Sequence, residues 1–227
     1  MAVEVFRRRV FPLLAGVLWV IFLFLDLTRL GDSTAVKFAA ICLCCAAAWT
    51  GVGTADGNLL AAALTLTVGA DVFLLLLDRG LADRLLGVGL FLAVQLLYAL
   101  RLWRLRGGRV CRWGLGLRLA ALGAALLLPL LASGLGERLP AGVSLPLTAL
   151  ALLYFVNLCT NTAEAFAGRF PAPLRLFAPG LALFVGCDVC VGAWNLGLGG
   201  FRVGMWLFYL PSQVLIVLSK NTEGDPV

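Results

Sequence analysis

The amino-acid sequence predicts an all-α fold: a polytopic transmembrane bundle of eight helices, built as two parallel four-helix repeats. Three observations lead there. Of the 227 residues, 62% are hydrophobic and the mean hydropathy is +1.00, whereas a soluble domain is about 45–50% apolar. The apolar residues fall into eight runs, each near the ~20 residues needed to cross ~30 Å of hydrocarbon. The pattern also recurs. Gly69-Ala70-Asp71-Val72 has a second copy, Gly186-Cys187-Asp188-Val189, 117 positions later, and at the same offset Asp78 falls on Asn195.

Arg7, Arg8 and Arg9 precede the first run, residues 10–30. A positive start before an apolar run is shared with signal peptides, but this run is too long for one and contains Asp26, so it is expected to remain as a helix. The second run, 34–52, has Lys37 near its start, and Thr54-Ala55-Asp56-Gly57 reads as a turn that caps the third, 58–77. That run carries Asp71. Asp78-Arg79 and Asp83-Arg84 mark an interface before the fourth run, 85–103, which carries Gln95 and Tyr98. Arg101, Arg104, Arg106, Arg109, Arg112 and Arg118 then surround the Gly107-Gly108 turn and divide the halves.

The fifth run is 115–131, with Pro129 expected to bend its end. Glu137 and Arg138 fall in the next loop. The sixth run, 143–162, carries Tyr154, Asn157 and Asn161, and Glu164, Arg169, Pro171, Pro173 and Arg175 form the loop after it. The seventh, 176–196, carries Asp188 and Asn195; a glycine-rich turn leads to the eighth, 202–219, with Tyr209, Pro211 and Gln213. The tail from Lys220 to Val227 is polar and expected to be loose. One integral-membrane domain thus spans residues 1–227, with repeats over about 10–104 and 115–219.

The net charge is +6, from 18 Lys and Arg against 12 acids. The arginines cluster between apolar runs, so they read as topology determinants and anionic-lipid contacts, and nucleic acid is not an expected partner. Twelve basic residues fall on the side that holds the termini and six on the other, which predicts a multi-pass protein of the cell membrane with both termini cytoplasmic. Histidine is absent. That removes the Ser–His and Cys–His pairs and most zinc sites, and neither metal nor cofactor is expected. The seven Cys lie mostly inside apolar runs and read as buried thiols; Cys187 and Cys190, a Cys-x-x-Cys pair around Asp188, are included.

Asp71 and Asp188 are the candidate catalytic residues. A charged side chain at membrane depth costs roughly 2.5–3.5 kcal/mol on insertion scales and usually faces the bundle interior for a functional reason. Gln95 and Gln213 follow the two acids on the adjacent antiparallel helices. Gln95 shares a face with Tyr98, and Gln213 with Tyr209. Together with Asn157 and Lys37, these four are the candidate binding residues. Lys37 either snorkels to the surface or pairs with Asp71 or Asp26. The competing reading of both acids is a polar lock between helices.

The segments Val68-Gly69-Ala70-Asp71-Val72-Phe73 and Gly87-Val88-Gly89-Leu90-Phe91, with the later Gln95-Leu96-Leu97-Tyr98, resemble the YhhN-like lysoplasmalogenase family. That family has a Gly-Asp helix, a Gly-x-x-x-Phe start to the next helix and an Ala-His-x-x-Tyr-like ending. Gly186-Cys187-Asp188 and Tyr209-Leu210-Pro211-Ser212-Gln213 resemble its Ser-Asp helix and its final Tyr-x-x-x-Gln helix, and Lys37 stands where the family has Lys. Gln95 takes the place of the usual His, Phe38 of a Pro and Cys187 of the Ser.

The resemblance implies an integral-membrane hydrolase whose partner is a lysophospholipid. It would cleave the sn-1 vinyl ether of lysoplasmalogens to a fatty aldehyde and a glycerophospho-alcohol. The residues suit that chemistry, which starts with protonation of carbon and needs no serine nucleophile or metal. One protonated and one ionised carboxyl would serve, as in glycosidases; which aspartate takes which role stays open. A proton-coupled transporter and a non-catalytic scaffold are the other classes compatible with these residues.

Overall fold

A computed structural model describes residues 2–135, 144–172 and 174–220. Glu137, Arg138, Pro173 and the tail after Lys220 lie outside the described residues. The eight helices among the described residues are α1 (Phe6–Thr28), α2 (Thr34–Trp49), α3 (Ala55–Leu77), α4 (Leu81–Leu105), α5 (Arg112–Leu135), α6 (Leu145–Ala167), α7 (Leu174–Asn195) and α8 (Phe201–Leu218). No strand occurs among the described residues. Six of the helices, α1, α3, α4, α6, α7 and α8, are long and apolar enough to cross a membrane, and α2 is a shorter apolar helix of 16 residues.

Some helix limits depart from the apolar runs where a polar residue finds a partner. α3 starts at Ala55 rather than residue 58 because Thr54 caps it, its Oγ1 accepting the Gly57 N–H at 3.0 Å. α4 continues to Leu105 and α6 to Ala167. Arg101 and Glu164, expected in loops, are therefore helical and buried. α5 runs on past Pro129 to Leu135. In α3 the α-helical hydrogen bonding stops at Asp71 and Val72–Leu77 is π-helical, a local widening that recurs at functional positions.

Seven helices close into a ring, in the order α1, α2, α3, α4, α6, α7, α8 and back to α1, with α2 also meeting α8; α5 packs outside against α6. α2 enters the ring through the small buried residues Ala40, Cys44, Ala47 and Ala48, which let backbones approach closely. The α7–α8 seam is equally tight. A Cβ on Gly180 would stand 3.2 Å from the Ile216 nitrogen, and one on Gly204 3.0 Å from the Cys190 sulfur.

The end of the ring that holds the start of α3 and α7 and the end of α4 and α8 is pinned by charge. Arg101, 1% exposed, donates from Nε to Asp56 Oδ1 at 2.6 Å and from Nη2 to Oδ2 at 3.0 Å. It also donates to the Ser219 hydroxyl and carbonyl, both at 2.8 Å, and lies 4.4 Å from the Phe177 ring. One guanidinium so ties α3, α4, α7 and α8 together. Beside it, buried Glu164 accepts from Arg106 at 2.7 Å and from Arg118 at 2.6 Å, which holds α5 and the α4 terminus to α6.

Breaking a buried ion pair from one side leaves an uncompensated charge. Arg101→Met is expected to lower stability by ~3–5 kcal/mol, measured by unfolding in detergent, and adding Asp56→Asn should recover part of the loss. An unchanged midpoint for the single variant would show that the pin does not hold the ring.

Candidate active site

Asp71 ends the α-helical part of α3 and points into the ring, 5% exposed. Tyr209 of α8 donates its hydroxyl to Asp71 Oδ2 at 2.8 Å. Asp188 of α7 has the matching arrangement: Tyr154 of α6 donates its hydroxyl to Asp188 Oδ2. Asp188 is only partly buried. Each carboxyl thus has one oxygen held by a phenol from a neighbouring helix.

Both pairs border one aromatic cluster. The Phe91 ring of α4 lies 5.8 Å from Tyr154, 5.7 Å from Phe184 and 6.4 Å from Tyr209, centroid to centroid. Phe184 of α7 lies 5.6 Å from Tyr209, and Trp206 of α8 lies 5.3 Å from it. Phe91 so joins the two tyrosine–aspartate pairs across the ring.

Lys37 takes Asp26 as its partner, at 2.7 Å from Oδ2 and 3.0 Å from Oδ1, and Ser33 also donates to Asp26. The ammonium lies 5.1 Å from the Trp206 ring and 5.9 Å from Phe22. Burial of a charge beside aromatic faces explains the choice: the pair is neutral as a whole, and the rings favour the cation. Lys37 therefore neither snorkels nor pairs with Asp71, and it borders the site through Trp206. Asp26, one of the two partners the sequence offered Lys37, completes this pair.

Gln95, Tyr98, Asn157 and Gln213 are all buried in the ring. Asn161 donates to the Gln95 carbonyl at 2.8 Å and to its Oε1 at 3.1 Å. Asn157 donates to the Leu153 carbonyl at 2.8 Å, and Tyr98 packs on Phe177 with centroids 5.2 Å apart. Asp78 and Asn195, each seven residues past one of the two acids, lie at the surface, where Asp78 pairs with Arg84 at 2.8 Å; the π-helical turns over Val72–Leu77 take Asp78 off the face of Asp71. The polar stripe therefore runs from the carboxylates toward the Arg101 end and not the other way.

Tyr154, Phe91, Phe184 and Trp206 are the site residues that sequence reasoning missed. The repeat offset held the signal for two of them. Tyr154 follows Lys37 by 117 positions, and Tyr209 follows Phe91 by 118, as Gln213 follows Gln95. Among the described residues, no three His, Cys, Asp or Glu side chains gather as metal ligands. Cys187 and Cys190 are free thiols.

The contrast among the buried acids defines the site. Asp56, Asp26 and Glu164 meet cations, whereas the hydrogen bonds to Asp71 and Asp188 come from neutral phenols. The fold and site thus define a multi-pass membrane protein with two phenol-held carboxyls beside an aromatic wall. The sequence model of the YhhN family matches residues 33–220. The chain belongs to that family, the lysoplasmalogenase family. Asp71, Asp188 and both partner tyrosines fall inside the matched span, and Asp26 falls outside it. No curated protein and no solved structure matches the chain.

Removing a phenol leaves a carboxyl short of a partner, which costs about 1–3 kcal/mol when the group is buried. Tyr209→Phe is expected to destabilise by this amount and Tyr154→Phe by less, because Asp188 is the more accessible acid. Thermal unfolding of both variants in detergent checks the order; the reverse order would contradict the burial argument.

Proposed function

We propose that this protein is an integral-membrane hydrolase that cleaves the sn-1 vinyl ether of lysoplasmalogens by acid–base chemistry at Asp71 and Asp188. The observation that carries the reading is the pair of phenol-held carboxyls on either side of one aromatic cluster. Family membership supports the substrate class. In the first step a protonated carboxyl delivers its proton to the alkenyl carbon β to the ether oxygen, and positive charge develops across the adjacent carbon and oxygen. The faces of Phe91 and Phe184 favour that charge, as aromatic faces favour cations. The second carboxylate takes a proton from water as the water oxygen bonds to the cationic carbon. The hemiacetal then collapses to the aldehyde and the free glycerol hydroxyl, and the proton balance closes without metal or cofactor.

Tyr154 and Tyr209 position the acids in this mechanism. Gln95, Tyr98, Asn157 and Gln213 lie buried toward the Arg101 end and in this reading bind the polar part of the substrate. Lys37, neutralised by Asp26, supports Tyr209 through Trp206. The reading of the two acids as a structural lock draws on the same hydrogen bonds, but a lock gains nothing from the partial accessibility of Asp188. A transport path would have to open the Arg101–Asp56–Ser219 pin. The reading also takes the halves as parallel repeats in the cell membrane with both termini cytoplasmic, supported by the basic residues concentrated on that side.

Asn keeps the shape of Asp and accepts the phenol hydrogen bond, but neither gives nor takes the proton. Asp71→Asn and Asp188→Asn are each expected to slow vinyl ether cleavage ~10²–10⁴-fold while the unfolding midpoint stays near that of the parent. The assay is aldehyde release from lysoplasmalogen by purified protein, followed by mass spectrometry. Parent rates in both variants would make the carboxyls structural.

A further inference from the structure

α4 and α8 touch across the ring at two heights. Phe91 meets Tyr209 with centroids 6.4 Å apart, and Arg101 meets Ser219 at 2.8 Å. Both contacts join residues 118 positions apart, so the helices run parallel and in register between them. At 1.5 Å per residue the two heights are ~15 Å apart. Gln95 stands four residues past Phe91 and Gln213 four past Tyr209. The two amides therefore share one level, ~6 Å from the aromatic cluster toward the Arg101 end, and both residues are 0% exposed.

Four buried atoms of this stripe have no hydrogen-bond partner: Gln95 Nε2, Gln213 Oε1, Tyr98 Oη and Asn157 Oδ1. Two of the amides are oriented by their neighbours. Arg118 Nη2 donates to Asn161 Oδ1 at 2.7 Å, so Asn161 must present its Nδ2 to Gln95 Oε1, at 3.1 Å. That leaves Gln95 Nε2 as the free donor. Asn157 spends its Nδ2 on the Leu153 carbonyl, which leaves its Oδ1 as a free acceptor. Asn157, Asn161 and Tyr154 share one face of α6, and Gln95 and Tyr98 share one face of α4. Of the nearby cations, Arg101 is engaged on Asp56 and Ser219, and Arg118 spends both Nη atoms on Glu164 and Asn161, with its Nε alone unpartnered.

The stripe thus offers one amide donor, two amide acceptors and a hydroxyl. A phosphate oxygen, which only accepts, would face those acceptors unfavourably. A hydroxyl both donates and accepts and satisfies the set. We propose that this level is a subsite for the free alcohol of the substrate's glycerol, read by Gln95 and Gln213, with Asn161 and Arg118 as positioning residues that fix the Gln95 amide. The inference rests on the hydrolase reading above and adds the part of the substrate that the stripe recognises. The reach agrees. From the alkenyl carbon that takes the proton to the neighbouring glycerol hydroxyl is five bonds, roughly 6 Å extended, which is the drop from the aromatic cluster to the glutamine level.

The test uses two uncleavable lipids: a lysolipid with a hexadecyl ether and a phosphocholine head group, and the same molecule with hydrogen in place of the free hydroxyl. Binding to the full-length protein in detergent is read from tryptophan fluorescence, since Trp206 borders the site. A site built for a hydroxyl rejects the analogue that lacks it, so the parent protein should bind the hydroxyl lipid about ten- to hundredfold more tightly. Gln95→Met should bring that ratio close to one, with weaker binding of the hydroxyl lipid and retained binding of the deoxy lipid, which also reports an intact fold. Asn161→Leu should narrow the ratio in the same way. If Gln95→Met loses affinity for both lipids, Gln213→Met on the opposite helix supplies the same comparison. Equal binding of the two lipids by the parent, or a ratio untouched by either glutamine variant, would overturn the proposal and leave the stripe to water. Because nothing is cleaved, a hydrolase reading that fails in the aldehyde assay would leave this ratio standing, and the reverse also holds.

Discussion

A carboxyl group surrounded by hydrocarbon has to find its partner within the protein, because the lipid offers none. The whole bundle is arranged by the ways its buried acids meet that demand. Asp56 takes Arg101, Glu164 takes Arg106 and Arg118, and Asp26 takes Lys37. Each of these pairs joins helices and fixes a charge in place. Asp71 and Asp188 are held instead by the hydroxyls of Tyr209 and Tyr154. A phenol steadies a carboxyl in either protonation state: it donates to the ionised form, and leaves the second oxygen of the neutral form free to carry a proton. Three of the acids are thus held by cations, and Asp71 and Asp188 by neutral donors, which is the difference the proposed acid–base chemistry uses.

The helix packing follows from this division. The cationic pins lie at the ends of the helices, where Arg101 can reach Asp56 and Ser219 while the apolar middle of α4 turns Phe91 and Gln95 into the ring. α5, which brings Arg118 to Glu164, packs against α6 outside the ring. That leaves the seven remaining helices to enclose the site. The π-helical turns that begin at Val72 alter the helix immediately after Asp71, the more buried of the two phenol-held acids. Close approach at Gly180 and Gly204 keeps α7 and α8 together, so Asp188, Phe184, Trp206 and Tyr209 are presented from a single rigid seam.

Most of the fold was legible in the sequence because hydropathy acts locally: apolar runs of membrane-spanning length mark the helices whatever their neighbours are. The two aspartates were legible for a related reason, since their cost is set by depth alone. What escaped was every feature that depends on which helix stands beside which. Arg101 and Glu164 look like loop residues until Asp56, Ser219 and the two arginines are brought to them across the bundle. Lys37 had several possible partners along the chain, and only the packing of α1 on α2 selects Asp26. Tyr154 passed for one polar residue among several, although its distance from Lys37 repeats the spacing of the two aspartates. Phe91 and Phe184 are indistinguishable by composition from the phenylalanines that face lipid.

The central claim is that a carboxyl group of the protein protonates carbon, and the fate of solvent hydrogen reports on that step directly. Lysoplasmalogen is incubated with the protein in deuterium oxide, and the aldehyde is trapped as it forms and examined by mass spectrometry. The account predicts one deuterium on the carbon next to the aldehyde, formed at a rate that is lower than in light water and that depends on Asp71 and Asp188. An aldehyde formed by the protein with no deuterium at that carbon would contradict it.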